Sequence, residues 1–251
     1  MGGHGTSFGE AAQSYSEGRP SYPAEAVAWM LGTAPLTVLD LGAGTGKLTV
    51  QVAAQGHRPV AVDPDAAMLA VLNEALPDID ARVGTAEEIP LPDASVDAVV
   101  LGQAWHWVDV EQASREVARV LRPGGILALV WNIRDESVPW VAELTEAMHS
   151  SAAEQLIVAG GPTVGPPFTT LESRRFEWAA SHTRDSLVAM VHSRSYYIAA
   201  NEDERASIDA KVDAVLARAP GLAQTGVMDL PYVTHAYQSR LPESTPSGPL
   251  R

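Results

Sequence analysis

The sequence contains no cysteine, which excludes a disulfide framework, a zinc ribbon and a thiol nucleophile. Basic residues are scarce: 17 Lys and Arg stand against 31 Asp and Glu, a formal charge of −14. With no cluster of them in any segment, nucleic acid is not expected as a partner. No apolar run approaches the ~20 residues of a membrane-spanning helix, and no secretory signal opens the chain, so a soluble cytoplasmic protein without a membrane partner is expected. Met1, Gly2 and Thr6 fit a myristoylation pattern, but no basic segment supplies the second signal that stable anchoring needs, and the match is read as chance. Internal repeats and metal-ligand clusters are also missing. What is present is 251 residues at 46% hydrophobic content, enough for one large α/β domain or a domain with an added subdomain.

The chain is organised around Thr37 to Lys47, Thr-Val-Leu-Asp-Leu-Gly-Ala-Gly-Thr-Gly-Lys. Its first five residues are short, β-branched and mostly apolar, as a strand buried on both faces of a parallel sheet must be. Gly42, Gly44 and Gly46 then alternate, so the backbone can turn tightly and a ligand can approach where a Cβ would clash. Leu48 and Val52 begin a helical face that ends at Gly56, read as a C′ glycine. A strand, a glycine turn and a helix N-terminus together suit a nucleotide-like ligand. The spacing excludes two of the usual ligands. Lys47 stands where a dinucleotide fingerprint carries its third glycine, and Leu48 replaces the hydroxyl of a phosphate loop. A glycine-rich turn with no ligand remains the alternative for this motif alone.

Pro59 to Asp63 reads as the second strand, returning the chain beside the first after one helix, as in a βαβ unit. A carboxylate at its end suits the hydroxyls of a ribose. Alternatively Asp63 is an N-cap ahead of Pro64, although Asp65 is an equally good cap for the helix carrying Met68, Leu69, Leu72 and Leu76. Asp80 to Gly84 and Ala98 to Leu101 read as the third and fourth strands, and Ile126 to Trp131 as the fifth. Asp109 and Gln112 make a capping box for the intervening helix, which ends at Leu121-Arg122-Pro123-Gly124-Gly125.

The pattern Asp40-x-Gly42-x-Gly44-x-Gly46 resembles motif I of the class I S-adenosylmethionine-dependent methyltransferases, and the resemblance covers about residues 8 to 133. It includes Gly84-Thr85-Ala86-Glu87, Gly102-Gln103-Ala104-Trp105-His106-Trp107 and the Leu-Arg-Pro-Gly-Gly run. The His-Trp variant after the fourth strand is similar to the branch of trans-aconitate and juvenile hormone acid methyltransferases. No Asn/Asp-Pro-Pro-Tyr/Phe tetrad, used by relatives acting on nucleic-acid amines, is present. The resemblance implies an α/β, Rossmann-like seven-stranded sheet with helices on both faces and a helical cap. Residues 1–35 would be a cap segment over the cofactor, 36–133 the cofactor-binding core, 134–241 the rest of the domain with the substrate cap, and 242–251 a disordered tail.

By the same resemblance S-adenosylmethionine would be bound by Tyr15, Arg19, Asp40, Gly42, Ala43, Gly44, Asp63, Pro64, Met68, Ala86, Glu87 and Gln103. A surface salt bridge is the alternative for Arg19. Glu87 with Ala86 falls at the adenine, whereas Glu88 fits better as an acidic first turn of a helix. Tyr22, Trp105, His106 and Trp107 would meet the acceptor, unless the Trp-His-Trp run is a hydrophobic plug. His106 is the candidate catalytic group, as a base or as an orienting group for an already ionised acceptor. The expected activity is methyl transfer to a small-molecule acceptor, at oxygen or carbon rather than on nucleic acid, by a monomer or homodimer with no metal. A non-catalytic S-adenosylmethionine-binding protein and a nucleotide-dependent oxidoreductase are the other readings. Beyond Trp131 the expectations are a long helix over Val138 to Ile157, a flexible break over Gly160 to Pro167, a strand at Phe176 to Ala180, helices around Leu187 and around Val212, and a last strand at Tyr232 to Tyr237.

Overall fold

A computed structural model of the chain describes residues 20–148, 150–192 and 194–243. Seven strands form one sheet: β1 (Thr37–Leu41), β2 (Arg58–Asp63), β3 (Asp80–Val83), β4 (Val96–Gly102), β5 (Leu121–Arg134), β6 (Glu172–Thr183) and β7 (Val227–Arg240). Their spatial order is β3-β2-β1-β4-β5-β7-β6. The first five run parallel, and β7 lies antiparallel between β5 and β6. Order reverses between β1 and β4, the switch point at which open α/β sheets hold ligands beyond the carboxyl ends of their strands.

Period-2 alternation of apolar residues divides the core into two layers. Val38, Ala98, Val100, Ile126, Ala128 and Val130 pack on one face with α1 (Ala24–Leu31) and α2 (Lys47–Ala54). Their sequence neighbours Leu39, Val99, Leu101, Leu127, Leu129 and Trp131 pack on the other with α4 (Val110–Val120) and α6 (Ala152–Val158). A smaller cluster forms where α3 (Ala66–Ala75) covers Ala61 of β2 through Leu69 and Leu72. A second cluster joins α5 (Pro139–Met148), α7 (Arg184–His192) and α9 (Glu202–Leu216) to Leu230 and Tyr232 of β7. The short helices α8 (Ser195–Ala199) and α10 (Leu222–Thr225) complete this cap. Among the described residues no helix is long and apolar enough to cross a membrane.

Several local expectations change. The helix read over Val138 to Ile157 is two helices, because Ser151 and Glu154 form a reciprocal capping box that starts α6. The segment Gly160 to Pro167, read as flexible, is pinned: Trp105 Nε1 donates to Thr163 O at 2.8 Å, and Gly165 N to Ser114 Oγ at 2.9 Å. No helix follows Glu88; its N–H instead donates to Thr85 Oγ1 at 3.2 Å. The box at Asp109 is also built differently. Asp109 accepts from Gln112 N at 2.9 Å, but its own N–H donates to Glu87 Oε1 at 2.9 Å rather than to Gln112. Of the tail read as 242–251, residues 244–251 lie outside the described residues, as do Tyr15 and Arg19 of the N-terminal segment.

Candidate active site

The glycine turn leaves the carboxyl end of β1 and is fixed by the end of β2. Gly42 N and Ala43 N both donate to Val62 O, at 2.8 and 3.1 Å. Gly44 N donates to Asp63 Oδ2 at 2.8 Å, and the other Asp63 oxygen accepts from Asp65 N at 2.8 Å. Asp65 in turn caps α3 by accepting from Ala67 N, so Asp63 is not the cap and faces the turn instead. A Cβ built on Gly44 would meet nothing within 4 Å, although φ is +55°. The glycine therefore borders open space rather than packed protein.

Asp40 lies beneath this turn, 1% exposed. Its Oδ2 accepts from Thr49 Oγ1 at 2.6 Å, while Oδ1 is buried with no hydrogen-bond partner. Burial pushes its carboxyl up to about 7, opposed by the Thr49 hydrogen bond and reinforced by the Asp63 charge. Asp63 is also raised, chiefly by burial. A buried carboxylate oxygen with no donor costs a substantial part of a hydrogen bond's worth of desolvation, so this site suits a ligand that brings a positive charge or a donor.

Two clefts meet at the turn and share Gly42, Gly44, Gly102 and Gln103. The first, about 430 Å³, is lined by Asp63, Pro64, Met68, Ala86, Glu87, Ala104 and Trp107. The second is lined by Tyr22, Asp40, Ala43, Lys47, Asn132, Arg134, Glu154, Arg194 and Tyr232. Gln103 sits between them with φ +58°, a left-handed conformation that costs a non-glycine residue ~1–2 kcal/mol. Its Nε2 donates to Asn132 O at 3.0 Å. Asn132 ties three segments together, donating to Ser21 O at 3.1 Å and accepting from Thr234 Oγ1 at 2.7 Å, which holds the lead-in to Tyr22 against the sheet.

Every cofactor candidate read from the sequence and lying in the described residues thus lines one cleft or the other. The acceptor candidates separate. Tyr22 lines the second cleft. Trp107 is 76% exposed and borders the first. Trp105 is buried at 2% in the core, lines neither cleft, and donates to Thr163 O at 2.8 Å. His106 is among the lining residues of neither cleft; its ring lies 4.8 Å from the Trp107 ring, and its Nδ1 accepts from Trp131 Nε1 at 3.3 Å. Among the described residues no group of three or more His, Asp or Glu could hold a metal.

The sequence reading missed Asn132, Arg134, Glu154, Arg194 and Tyr232. Three of them carried a local signal: Asn132 and Arg134 are polar positions at the carboxyl end of an otherwise buried strand, and Glu154 closes the capping box Ser151-x-x-Glu154. Arg194 and Tyr232 reach the cleft only through the packing of the cap.

With this geometry in place, comparison with known proteins finds a methyltransferase domain matching residues 39–129. A Mycobacterium tuberculosis protein bearing the name uncharacterized methyltransferase is 49% identical over 235 residues, covering 94% of this chain and 96% of that one. A second protein of that name, from Schizosaccharomyces pombe, is 36% identical over 243 residues, covering 94% and 97%. Among solved structures, a candidate type II methyltransferase from Anaeromyxobacter dehalogenans superposes with a TM-score of 0.62 at 26% identity, covering 90% of this chain and 99% of that chain.

Proposed function

The chain belongs to the methyltransferases, of the class I S-adenosylmethionine-dependent kind, and from that premise we propose that it binds S-adenosylmethionine across both clefts and methylates a small-molecule acceptor. When bound, the cofactor supplies a methyl group on a sulfonium, already activated for in-line displacement. The protein's share is then to bind, to orient and to exclude water.

The observation that carries this reading is the buried Asp40 oxygen without a donor at the base of an open glycine turn. It suits the ammonium of the cofactor's amino-acid end, with the charge as well as the hydrogen bond compensated. Asp63 has one lone pair per oxygen committed to backbone and keeps others for ribose hydroxyls. Pro64 and Met68 would flank the adenosine, and Ala86 and Glu87 the adenine. The Glu87 oxygen engaged by Asp109 N–H leaves the other carboxylate oxygen for an exocyclic amine. Gln103 would stand at the junction, beside the reacting atoms. Tyr22 would cover the acceptor, and Trp107 the outer edge of the adenosine cleft.

His106 on this reading orients rather than deprotonates. A tryptophan N–H only donates, so a ring whose Nδ1 accepts from Trp131 carries its proton on Nε2. That leaves no lone pair for an acceptor's proton while the bond holds. An acceptor that arrives ionised needs no base, and His106 then acts as a donor or as packing for Trp107. The reading is tested with labelled S-adenosylmethionine against a metabolite extract: a labelled small molecule together with S-adenosylhomocysteine is expected. Tight binding of the cofactor with no turnover on any extract would favour the non-catalytic alternative.

A further inference from the structure

One wall of the second cleft carries a buried arginine to which the proposed ammonium, ribose and adenine contacts assign no role. Arg134, at the last position of β5, is only 4% exposed and still lines the cleft. Its Nε donates to Thr145 Oγ1 at 3.0 Å, and its Nη2 to Glu154 Oε1 at 2.6 Å. Glu154 is itself engaged on both oxygens: its other oxygen accepts from Ser151 N at 2.6 Å and from Ser151 Oγ at 2.9 Å. The guanidinium is therefore clamped in one orientation by α5 and α6. A guanidinium has five N–H donors, and only two of Arg134's have these partners.

A buried ion pair is a poor device for stability alone, because well-packed apolar residues in its place are often as stable or more so. One set at the wall of a ligand cleft, with donors to spare, is a pre-oriented fork for a planar anion. The charges around it agree. In a chain with a formal charge of −14, the same cleft gathers Lys47, Arg134 and Arg194, against Asp40 and Glu154. The phenols of Tyr22 and Tyr232 and the amide of Asn132 supply further polar lining.

We propose that Arg134 is the anion-reading residue of this cleft and that it receives a carboxylate. Two molecules of the proposed reaction could bring one: the acceptor, or the amino-acid end of the cofactor. The inference rests on the methyltransferase reading. It adds that this wall of the cleft recognises carboxylate, and that Glu154 tunes this recognition by holding the guanidinium and offsetting part of its charge.

Two substitutions separate recognition from a mere clip between α6 and β5. Arg134→Gln removes the charge and the fork. Glu154→Gln keeps the shape and removes the charge; its single carbonyl oxygen can accept from Ser151 or from Arg134 but not from both, so the arginine is unmasked. Recognition predicts opposite changes in carboxylate affinity: a loss of roughly 10- to 150-fold for Arg134→Gln, the worth of a charge-assisted hydrogen bond, and a gain for Glu154→Gln. A clip predicts a lowered melting temperature for both and a gain for neither.

Calorimetry with S-adenosylhomocysteine and with 5′-methylthioadenosine, which lacks the amino-acid carboxylate, tests the cofactor source. Preference for the former over the latter falls in Arg134→Gln and rises in Glu154→Gln if that carboxylate is the one read. Labelled-methyl transfer to a panel of small carboxylic acids and their matched primary amides tests the acceptor source. Acids are preferred by the unsubstituted enzyme, with a Michaelis constant raised by Arg134→Gln and lowered by Glu154→Gln. Should Arg134→Gln fail to fold, Glu154→Gln alone decides, since only recognition gives a gain. The proposal is overturned if neither variant shifts the nucleoside preference and acids are transferred to no more readily than amides. If the unsubstituted protein binds neither nucleoside, the methyltransferase reading itself fails, and that result is distinct from unchanged preference in a protein that binds.

Discussion

At the scale of single residues, Asp40 carries a charge-burial cost that protonation relieves at low pH and a cationic ligand would relieve at higher pH. Its folded-state carboxyl lies near 7, above the 3.8 of an ordinary aspartate, because burial disfavours the charge. A raised carboxyl contributes stability that is fully present below about pH 4 and lost as pH rises through 7. The ligand-free protein is therefore expected to lose melting temperature across that interval, and Asp40→Asn to remove this part of the loss. The same substitution should make the ligand-free protein more stable at pH 8 while weakening S-adenosylhomocysteine binding by ~1.5–3 kcal/mol, the range for a hydrogen bond to a charged group. Binding itself should release a proton near pH 6, where Asp40 is mostly protonated before an ammonium arrives, and almost none at pH 8.5. Calorimetry in buffers of different ionisation enthalpy reads this directly, and proton uptake at pH 6 would be the wrong sign. His106 gives a second residue-scale test. While Trp131 holds Nδ1, His106→Ala should raise the acceptor's Michaelis constant more than it lowers turnover; a turnover loss of roughly 100-fold with a basic limb near pH 6 to 7 would restore the general-base role.

At the scale of elements, the glycine turn separates what folds from what binds. Gly46 has φ +85° and a built Cβ would lie 2.9 Å from Leu72 Cγ, so Gly46→Ala presses α2 against α3. It should lower stability by ~1–3 kcal/mol through backbone strain and overpacking. Gly44→Ala meets open space and only the cost of φ +55°, so its main effect should be on cofactor affinity. Equal losses of melting temperature in the two variants, with affinity unchanged in Gly44→Ala, would mean that the turn is structural only. The first half of the chain was legible because its signals are local: β1, the turn, Asp63 and Asp65 lie within one βαβ unit. Even there the choice between Asp63 and Asp65 as cap needed the structure, since both are aspartates before a helix. Beyond β5 the signals are split. Strands β6 and β7 are far longer than their apolar centres at Phe176 and Tyr232 suggest, because their pairing runs on through exposed residues such as Ser181, which donates across to Asp229, as well as buried ones such as Met228 and Leu230. Helices α5 and α6 look like one helix by periodicity, and the reciprocal capping box of Ser151 and Glu154 marks the start of the second.

For the whole molecule, fold and clefts follow from the order of the strands. The reversal between β1 and β4 places the glycine turn, Asp63 and Gln103 at one edge of the sheet, while the antiparallel pair β7 and β6 carries the cap that adds Tyr232 and Arg194. The side of the candidate site built from the glycine turn and the end of β2 was therefore readable from sequence order. The far lining of the second cleft was not, because Glu154 of α6, Arg194 ahead of α8 and Tyr232 of β7 are distant in sequence and have no motif in common. The central claim is that this edge binds the methyl donor rather than a dinucleotide, since Lys47 occupies the place of the third dinucleotide glycine. Isothermal titration of the protein with S-adenosylhomocysteine, and separately with NAD, is the direct measurement. The account predicts saturable one-to-one binding of S-adenosylhomocysteine, weakened by Asp40→Asn, and no heat of binding with NAD; tight NAD binding with no response to S-adenosylhomocysteine would contradict it.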